Sequence, residues 1–259
     1  MYIDGGEAVQ VVDGVAETRP RPINHTLSIG LSQSWTNSNV SIRTIDKPSS
    51  ALFRKYINLW PYKDSFYAWG GDKGLSKNVE DGKLWKFAVD GAGGGSWEKQ
   101  PLDNSAFLLL VTAQGCVCSF NGTGFIVGGW ASRDSDATLL SIRDHIAVPG
   151  VTSFDMLSGK WKNQTAPGLS TSETIAYGRS LFVSFGPNGL ILVLGGLQST
   201  SQNRSLNFGE GQKLDFINLK LYDPVRNVWH SQQATGAFPS PRASFCTVGV
   251  QGPNNTYEM

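Results

Sequence analysis

Short apolar runs, each closed by two glycines, recur along the chain and are separated by polar segments. The most regular run is Leu190–Leu194, which precedes Gly195 and Gly196. Five consecutive apolar residues bounded by glycine are typical of a strand that is buried on both faces. The alternating segment 216–222 predicts a second strand, and Trp229 begins a third after a short turn. The two glycines are expected to adopt positive φ or to let a neighbouring backbone approach closely.

This unit occurs four times. The glycine pairs recur at intervals of about sixty residues, and a tryptophan follows each pair after about thirty residues. The pairs are Gly5 and Gly6, Gly70 and Gly71, Gly128 and Gly129, and Gly195 and Gly196, and the tryptophans are Trp35, Trp97, Trp161 and Trp229. Such a period indicates repeats that complete one another's core. We predict that these residues are structural and that Trp161 and Trp229 are largely buried.

The order of apolar strand, glycine pair, variable loop, aromatic-bearing strand, turn and tryptophan resembles the kelch repeat. The resemblance covers nearly the whole chain. It implies an all-β fold, a kelch-type β-propeller with about four four-stranded blades plus the start of a fifth, in an incomplete ring. The segment Pro241-Arg242 with Phe245-Cys246, followed by Pro253, also resembles the kelch ectodomains of filamentous-fungal surface proteins, within the superfamily of galactose-oxidase-like propellers.

One partial propeller is expected to span residues 1–259. Its blades are predicted at about 2–47, 48–102, 103–167 and 168–237, and residues 238–259 are expected to begin the next blade. Residues 241–250 are predicted to form the inner strand of that blade. Tyr2 is predicted to lie in the second strand of the first blade, with no inner strand before it. Because propellers usually close into a ring of four to eight blades, we expect a fragment of a longer kelch protein that forms an open arc.

In an open arc the outermost sheets lack a neighbour on one side. Apolar side chains on those faces are then expected to meet water instead of an adjacent blade. The side chains concerned are Ile3, Leu27, Ile29, Phe245 and Val248.

Composition narrows the possible partners. The formal net charge of the 259 residues is +1, which gives no reason to expect nucleic acid or an anionic membrane as a partner. No run approaches the length of a membrane-spanning helix in this chain, and no basic-then-apolar segment opens it. The full-length protein suggested by the fungal resemblance would carry a signal peptide, and often a membrane span, outside these residues.

No residue cluster predicts catalysis or a cofactor. The three histidines, His25, His145 and His230, are isolated, and nothing has the spacing of a zinc site. We therefore expect no catalytic residues, no metal ligands and no cofactor. Cys116, Cys118 and Cys246 are interpreted as buried structural thiols. A disulfide from Cys116 or Cys118 to Cys246, or to a residue outside the chain, is the alternative.

Six Asn-x-Ser/Thr sequons are present, more than the composition would give by chance. They begin at Asn24, Asn39, Asn121, Asn163, Asn203 and Asn254. Most lie in predicted loops or turns, where a glycan can be accommodated. The excess favours possible glycosylation and an extracellular or cell-surface location over a cytoplasmic one.

Two functions are considered. The first is a non-catalytic interaction module that binds a protein or a cell-surface glycan through the loops between second and third strands, at residues 72–83, 130–149 and 197–214. The alternative is the propeller domain of an enzyme, either a copper-radical oxidase or an iron-dependent specifier protein, whose site would lie in missing blades. Because no ligand cluster supports the alternative, we favour the interaction module and predict that the chain is not an enzyme.

Overall fold

The computed structural model describes residues 1–48, 54–73, 84–102, 110–141, 145–164, 173–200, 212–254 and 256–259. The described part is all-β and is built from small antiparallel sheets. Its helical structure is limited to one short 3-10 turn, Ala137–Leu139. Among the described residues, no helix has the length and apolarity needed to cross a membrane.

Four main sheets follow one another along the chain, each antiparallel. Sheet 1 has the strands Tyr2–Ile3, His25–Ile29 and Ile42–Asp46. Sheet 2 has Asn58–Tyr62, Ser65–Trp69, Leu84–Val89 and Gly95–Gln100. Sheet 3 has Cys116–Phe120, Thr123–Val127, Val151–Asp155 and Trp161–Gln164. Sheet 4 has Arg179–Val183, Leu190–Leu194, Asn218–Asp223 and Val228–Gln233. In sheets 2–4 we call these strands, in chain order, the inner, second, third and outer strands.

Smaller ladders occupy segments between the strands of the main sheets and the segment after sheet 4. The pairs of strands are Glu7–Ala8 with Arg21–Pro22, Val11–Val12 with Val15–Ala16, Trp130–Ala131 with Ile146–Ala147, and Val250–Gln251 with Tyr257–Glu258. A three-stranded ladder contains Glu173–Ala176, Leu197–Thr200 and Gln212–Lys213. Three of these ladders begin directly after a glycine pair, so the loops that follow Gly6, Gly129 and Gly196 start as ordered strands.

The hydrophobic core lies between successive sheets. Trp60 and Trp69 of sheet 2 pack with Phe154 and Trp161 of sheet 3. A second cluster joins sheet 3 to sheet 4 through buried aliphatic side chains such as Val127 and Ile191. Between sheets 1 and 2, the ring of Tyr2 lies 5.3 Å from that of Phe87. Sheets 1–3 therefore each pack on the next sheet along the chain, as apolar sheet faces require.

The glycine pairs hold adjacent sheets together by one repeated contact, which we call the glycine-pair contact. The N–H of the second glycine donates to a carbonyl in the segment that leads into the next sheet. The bonds are Gly6 to Arg54 at 3.3 Å, and Gly71 to Thr112, Gly129 to Ile175 and Gly196 to Arg242 at 2.9 Å each. These four bonds pair backbone groups of each sheet with those of the segment that follows it.

Both properties expected of the glycines are confirmed. All eight have positive φ, between 53° and 99°. A Cβ on Gly128 would stand 2.5 Å from the carbonyl oxygen of Ile175, and one on Gly195 would stand 2.6 Å from that of Arg242. Gly5 and Gly70 face the next sheet in the same way. Glycine is thus required both for the turn and for the approach of the neighbouring backbone.

Three of the four repeat tryptophans occupy equivalent places. Trp97, Trp161 and Trp229 lie in the outer strands of sheets 2, 3 and 4 and pair with an aromatic residue of the third strand. The predicted burial of Trp161 is confirmed, since only 8% of its surface is exposed. Trp229 is half-buried and lies against Tyr222 at 5.2 Å. Trp35 differs, because it lies outside the strands and is 44% exposed.

The predicted inner strand at residues 241–250 is largely absent. Only Val250–Gln251 forms a strand, and its partner is the two-residue strand Tyr257–Glu258. An inner strand is held by its ladder to a second strand, and a two-residue partner provides few bonds. Residues 242–245 still follow sheet 4, because Arg242 accepts from Gly196 and Phe245 packs on the sheet.

The expectation that the outermost faces meet water holds for only some side chains. Ile3 is 42% exposed and Val248 is 76% exposed. Leu27 and Phe245 are half-buried. Ile29 was expected to be exposed but is buried.

Segment 130–149 was expected to be a surface loop, but much of its described part is buried. Ser135 is fully buried and its carbonyl accepts a 2.9 Å hydrogen bond from Nη1 of Arg54, which is itself fully buried. The carboxylate of Asp136 accepts from the backbone N–H of Val111 at 2.9 Å. The segment packs between sheets 2 and 3 because its polar groups satisfy backbone and guanidinium groups that would otherwise be unpaired.

An aspartate ends the third strand of sheets 3 and 4, at Asp155 and Asp223, and Asp90 directly follows the third strand of sheet 2. Oδ1 of Asp155 accepts backbone N–H groups of Ser158 at 3.0 Å and Leu157 at 2.9 Å. The hydrogen bond from Ser158, followed by that from Leu157, lowers the pKa of Asp155. Similar bonds from Ala92 and Gly94 lower the pKa of Asp90. These carboxylates fix the turn into the outer strand.

We expect Asp155→Ala to destabilise the protein by about 0.5–2 kcal/mol at pH 7, as loss of a comparable backbone cap does. The folded-state pKa is below the unfolded value, so the carboxylate stabilises the fold above about pH 4 and this contribution is lost as the pH falls through the folded pKa. Unfolding by urea at pH 7 and pH 3 should therefore show a difference between the proteins that shrinks in acid. Asp64→Ala, in the exposed hairpin turn of sheet 2, is the control. An undiminished difference at pH 3 would contradict the assignment.

Candidate functional site

Four residues with left-handed backbone conformation occur in series: three lie before the inner strands of sheets 2–4, and the fourth lies in the segment after sheet 4. They are Tyr56, Gln114, Tyr177 and Ser244, with φ of 57°, 58°, 62° and 56°. The first three each stand two residues before an inner strand. Left-handed conformation costs a residue with a side chain about 1–2 kcal/mol, and such strain is concentrated at functional sites. The repetition therefore makes this set the strongest candidate for a site.

Backbone hydrogen bonds join these residues across the sheets. The N–H of Tyr177 donates to the carbonyl of Gln114 at 2.9 Å, and the N–H of Ser244 donates to the carbonyl of Tyr177 at 2.8 Å. All four residues line one cleft, which has a volume of about 390 Å³. The cleft therefore collects one residue from the entry into each of sheets 2, 3 and 4 and one from the segment after sheet 4.

Gln114 is the most unusual residue of the cleft. Its side chain lines the cleft, yet the residue is only 8% exposed. Neither Nε2 nor Oε1 has a hydrogen-bond partner among the described residues. A buried amide without partners costs about 1–3 kcal/mol, and such a group in a native fold calls for an explanation. Both amide atoms have almost no accessible surface, so a ligand that offers a donor and an acceptor would satisfy them after a rotation of the side chain toward the cleft.

Arg179 supplies positive charge to the same cleft. It begins the inner strand of sheet 4, and its Nη1 donates to the carbonyl of Gly178 at 3.0 Å. Among the described residues it forms no ion pair, so the remaining guanidinium donors are available to an anionic group.

Tyr177 is held in its neutral form. Burial, together with the nearby Tyr56, raises the pKa of the Tyr177 phenol to about 12. The hydroxyl is thus protonated at any physiological pH and can donate a hydrogen bond. Ile57, Leu59 and Val117 add apolar surface, which gives the cleft the mixed lining usual for binding pockets of about 300–1,000 Å³.

The cleft lies beside the loops between second and third strands, which the sequence predicts to be the binding loops. The inner strands begin opposite the ends of the second strands, as in the pairs Asn58 with Trp69, Cys116 with Val127 and Arg179 with Leu194. The loops that leave those second strands therefore start beside the cleft. Of these loops, residues 74–83, 142–144 and 201–211 lie outside the described part.

The histidines are not brought together. Nδ1 of His25 lies 2.8 Å from Oδ1 of Asp46 at an exposed strand end. His145 stands edge-on to Trp130 at 4.3 Å, and His230 is exposed on the outer strand of sheet 4. In the described part of the chain, no three His, Cys, Asp or Glu residues are grouped as a metal site would need.

The three cysteines are free. Cys116 is buried and Cys118 is half-buried, and burial raises the pKa of both thiols to about 12. The interpretation of all three as buried is wrong for Cys246, which is exposed because residues 241–249 form no strand. The thiols of Cys116 and Cys118 are therefore unreactive at neutral pH.

All the sequon asparagines within the described part are exposed: Asn24, Asn39, Asn121, Asn163 and Asn254. Asn203 lies outside the described residues. Asn121 and Asn254 occupy turns with positive φ, of 46° and 56°. Asn39 accepts the N–H of Thr36, and Asn163 lies in the outer strand of sheet 3. Their exposure leaves each of the five accessible to modification.

Sequence reasoning did not find the cleft residues. They share no residue type, since tyrosine, glutamine and serine occupy the equivalent positions. The signal in the sequence that could have found them is their position in the repeat. Tyr56 and Gln114 each precede the first glycine of a pair by a similar interval along the chain. Their identity as a set appears only when the sheets are in place.

Comparisons with known proteins bear on the fold. No family model matches the sequence, and no curated protein matches it. The solved structure of YjhT, a β-propeller, is similar with a TM-score of 0.50 and 16% sequence identity. The match covers 81% of this chain and 52% of YjhT, so the chain spans about half the length of that protein. The similarity supports a β-propeller-like arrangement of the small sheets. It does not indicate a function for this chain.

Proposed function

We propose that the chain is part of a kelch-type β-propeller that serves as a non-catalytic interaction module and binds a glycan in the cleft. Sheets 1–4 would be its blades, and the glycine-pair contact, repeated at each boundary, is the observation that supports this assignment. The exposed sequons support an extracellular or cell-surface location. A protein ligand is the other candidate, and the binding test below distinguishes the two.

The buried, unpartnered amide of Gln114 carries the proposal of a ligand. The size of the cleft suits one or two sugar residues, whereas a stable protein interface buries about 800 Å² on each side. Tyrosine hydroxyls, an amide and a guanidinium are groups that recognise sugar hydroxyls and acidic substituents. Arg179 therefore favours a glycan that carries an acidic group.

Gln114→Leu and Arg179→Met test this proposal. We expect each to weaken glycan binding about tenfold, since tenfold corresponds to about 1.4 kcal/mol and a charge-assisted hydrogen bond contributes about 1.5–3 kcal/mol. Gln114→Leu should not lower the unfolding midpoint, because the amide it removes has no partner in the described fold. Arg19→Met, which removes a charge from an exposed segment of the chain, is the matched control.

The measurement is binding of the 259-residue chain and the three variants to an array of neutral and acidic glycans. Loss of binding in both cleft variants, with the control unaffected, is the expected result. Binding that is equally strong in all variants would place the site elsewhere. Absence of glycan binding, with capture of a protein partner that depends on Gln114, would favour the protein ligand.

A metal analysis separates the module from the alternative of a copper or iron enzyme. We expect the purified protein to contain far less than one equivalent of either metal. Stoichiometric copper or iron, retained after dialysis against a chelator, would contradict the non-catalytic proposal.

A further inference from the structure

The hairpin between the inner and second strands of sheet 3 combines a sequon with an exposed aromatic ring. Its turn residues, Asn121 and Gly122, have φ of 46° and 73°. Two consecutive left-handed residues define the type I′ turn that suits a two-residue hairpin. Phe120 and Thr123 flank the turn as a cross-strand pair, so their side chains lie on the same face of the sheet.

Phe120 has one face covered by the protein. Its ring stacks on that of Phe182, from the inner strand of sheet 4, with the ring centroids 3.4 Å apart and the planes inclined by 7°. The residue is nevertheless 41% exposed. Covering the exposed side of this apolar ring with another apolar surface would stabilise the fold. The C–H face of a sugar ring is such a surface. The accessible Asn121 lies directly beside the ring in sequence.

Asn121 differs from the other sequon asparagines in the residue that precedes it. It is the only one of the six that directly follows an aromatic residue in the sequence. The turn is also held in place, because the carbonyl of Gly122 accepts the N–H of Met156 at 2.8 Å. A sugar on Asn121 would therefore be presented to Phe120 by a fixed backbone.

We propose that Asn121 is an N-glycan acceptor whose first sugar packs on the exposed side of Phe120 and stabilises this hairpin. The proposal depends on entry into the secretory pathway but is independent of the ligand of the cleft. In the transfer, a bond forms between Nδ2 of Asn121 and the anomeric carbon of the sugar. The bond from that carbon to the pyrophosphate of a lipid-linked oligosaccharide donor breaks, and Nδ2 gives up one proton.

The test directs the full chain into the secretory pathway of eukaryotic cells with an added leader. Occupancy of each sequon is measured by mass spectrometry of glycopeptides, in the cells as well as in the medium, so that poor export does not hide the result. We expect Asn121 to be occupied in most molecules. An unmodified Asn121 in chains that carry glycans elsewhere would overturn the proposal.

The role of Phe120 is tested by melting the same protein after trimming each glycan to a single sugar. Thr123→Ala, which removes the sequon but keeps Asn121, should lower the Tm by about 1–3 °C relative to the trimmed parent, the size expected for one cross-strand aromatic contact. In a Phe120→Ala background the same change should have a much smaller effect. Ser41→Ala, which removes the Asn39 sequon, is the control and should leave the Tm unchanged.

An equal loss with and without Phe120 would show that the sugar does not pack on the ring and would overturn the proposal. The unglycosylated chain, produced in bacteria, supplies the effect of Thr123→Ala on the hairpin alone. That effect is subtracted from the difference seen in the glycosylated proteins. If no difference in Tm is left after this subtraction, the glycan does not stabilise the hairpin, which would also contradict the proposal.

Discussion

Replacing Trp161 by alanine is expected to destabilise the protein by about 3–5 kcal/mol, the usual cost of truncating a buried tryptophan. The Trp161 ring lies in the core between sheets 2 and 3, with ring centroids 4.9 Å from Trp69, 5.9 Å from Trp60 and 4.7 Å from Phe154. Its removal leaves a cavity that the rigid strands on both sides can fill only in part. Unfolding in urea, followed by tryptophan fluorescence and circular dichroism, measures the change.

Trp35→Ala is the matched control, because it makes the same chemical change at another repeat tryptophan. Trp35 is 44% exposed and lies outside the strands. Surface substitutions usually change stability by no more than about 0.5 kcal/mol. Similar losses for the two variants would contradict the packing between sheets 2 and 3 described here.

The second large effect is expected for Gly128→Ala, at about 2–5 kcal/mol. The glycine has φ of 65°, and the left-handed conformation alone costs alanine about 1–2 kcal/mol. The added Cβ would also stand 2.5 Å from the carbonyl oxygen of Ile175 and 2.7 Å from its nitrogen. Relieving this contact requires sheets 3 and 4 to separate, and overpacking of this kind typically costs about 1–3 kcal/mol more.

Gly159→Ala separates the two contributions. Gly159 has a similar φ of 71°, but a Cβ there would meet nothing within 4 Å. Only the conformational cost of about 1–2 kcal/mol is then expected. If Gly159→Ala and Gly128→Ala were equally destabilising in the same urea titration, close approach between the sheets would not be the reason for the glycine pair.

The sequence predicted the sheets well because the relevant signals are local. Apolar runs such as Leu190–Leu194 and the glycines that close them determine a strand and a turn within a few residues. The sequence predicts that the glycines have positive φ or let a neighbouring backbone approach closely, and the structure shows both properties. The tryptophans of sheets 2–4 could be placed because each pairs with an aromatic residue of the strand just before it.

Features that depend on contacts between distant segments could not be predicted. Trp35 has the spacing of the other repeat tryptophans, but sheet 1 reaches its last strand only at Ile42, so Trp35 lies in the segment before that strand. The burial of segment 130–149 depends on Arg54, which is far away in sequence. The cleft is the clearest example, because its left-handed residues share a position in the fold and no common side chain.

Hydrogen exchange at the backbone amides of Gly71, Gly129 and Gly196 tests the central claim most directly, that one repeated contact joins neighbouring sheets around a common cleft. Each of these amides donates to a carbonyl of the next sheet's entry segment at 2.9 Å. We expect all three to exchange as slowly as the amides within the second strands. The amide of Gly14, in an exposed hairpin turn, supplies the fast reference. Exchange of the three glycines as fast as that of Gly14 would contradict the account.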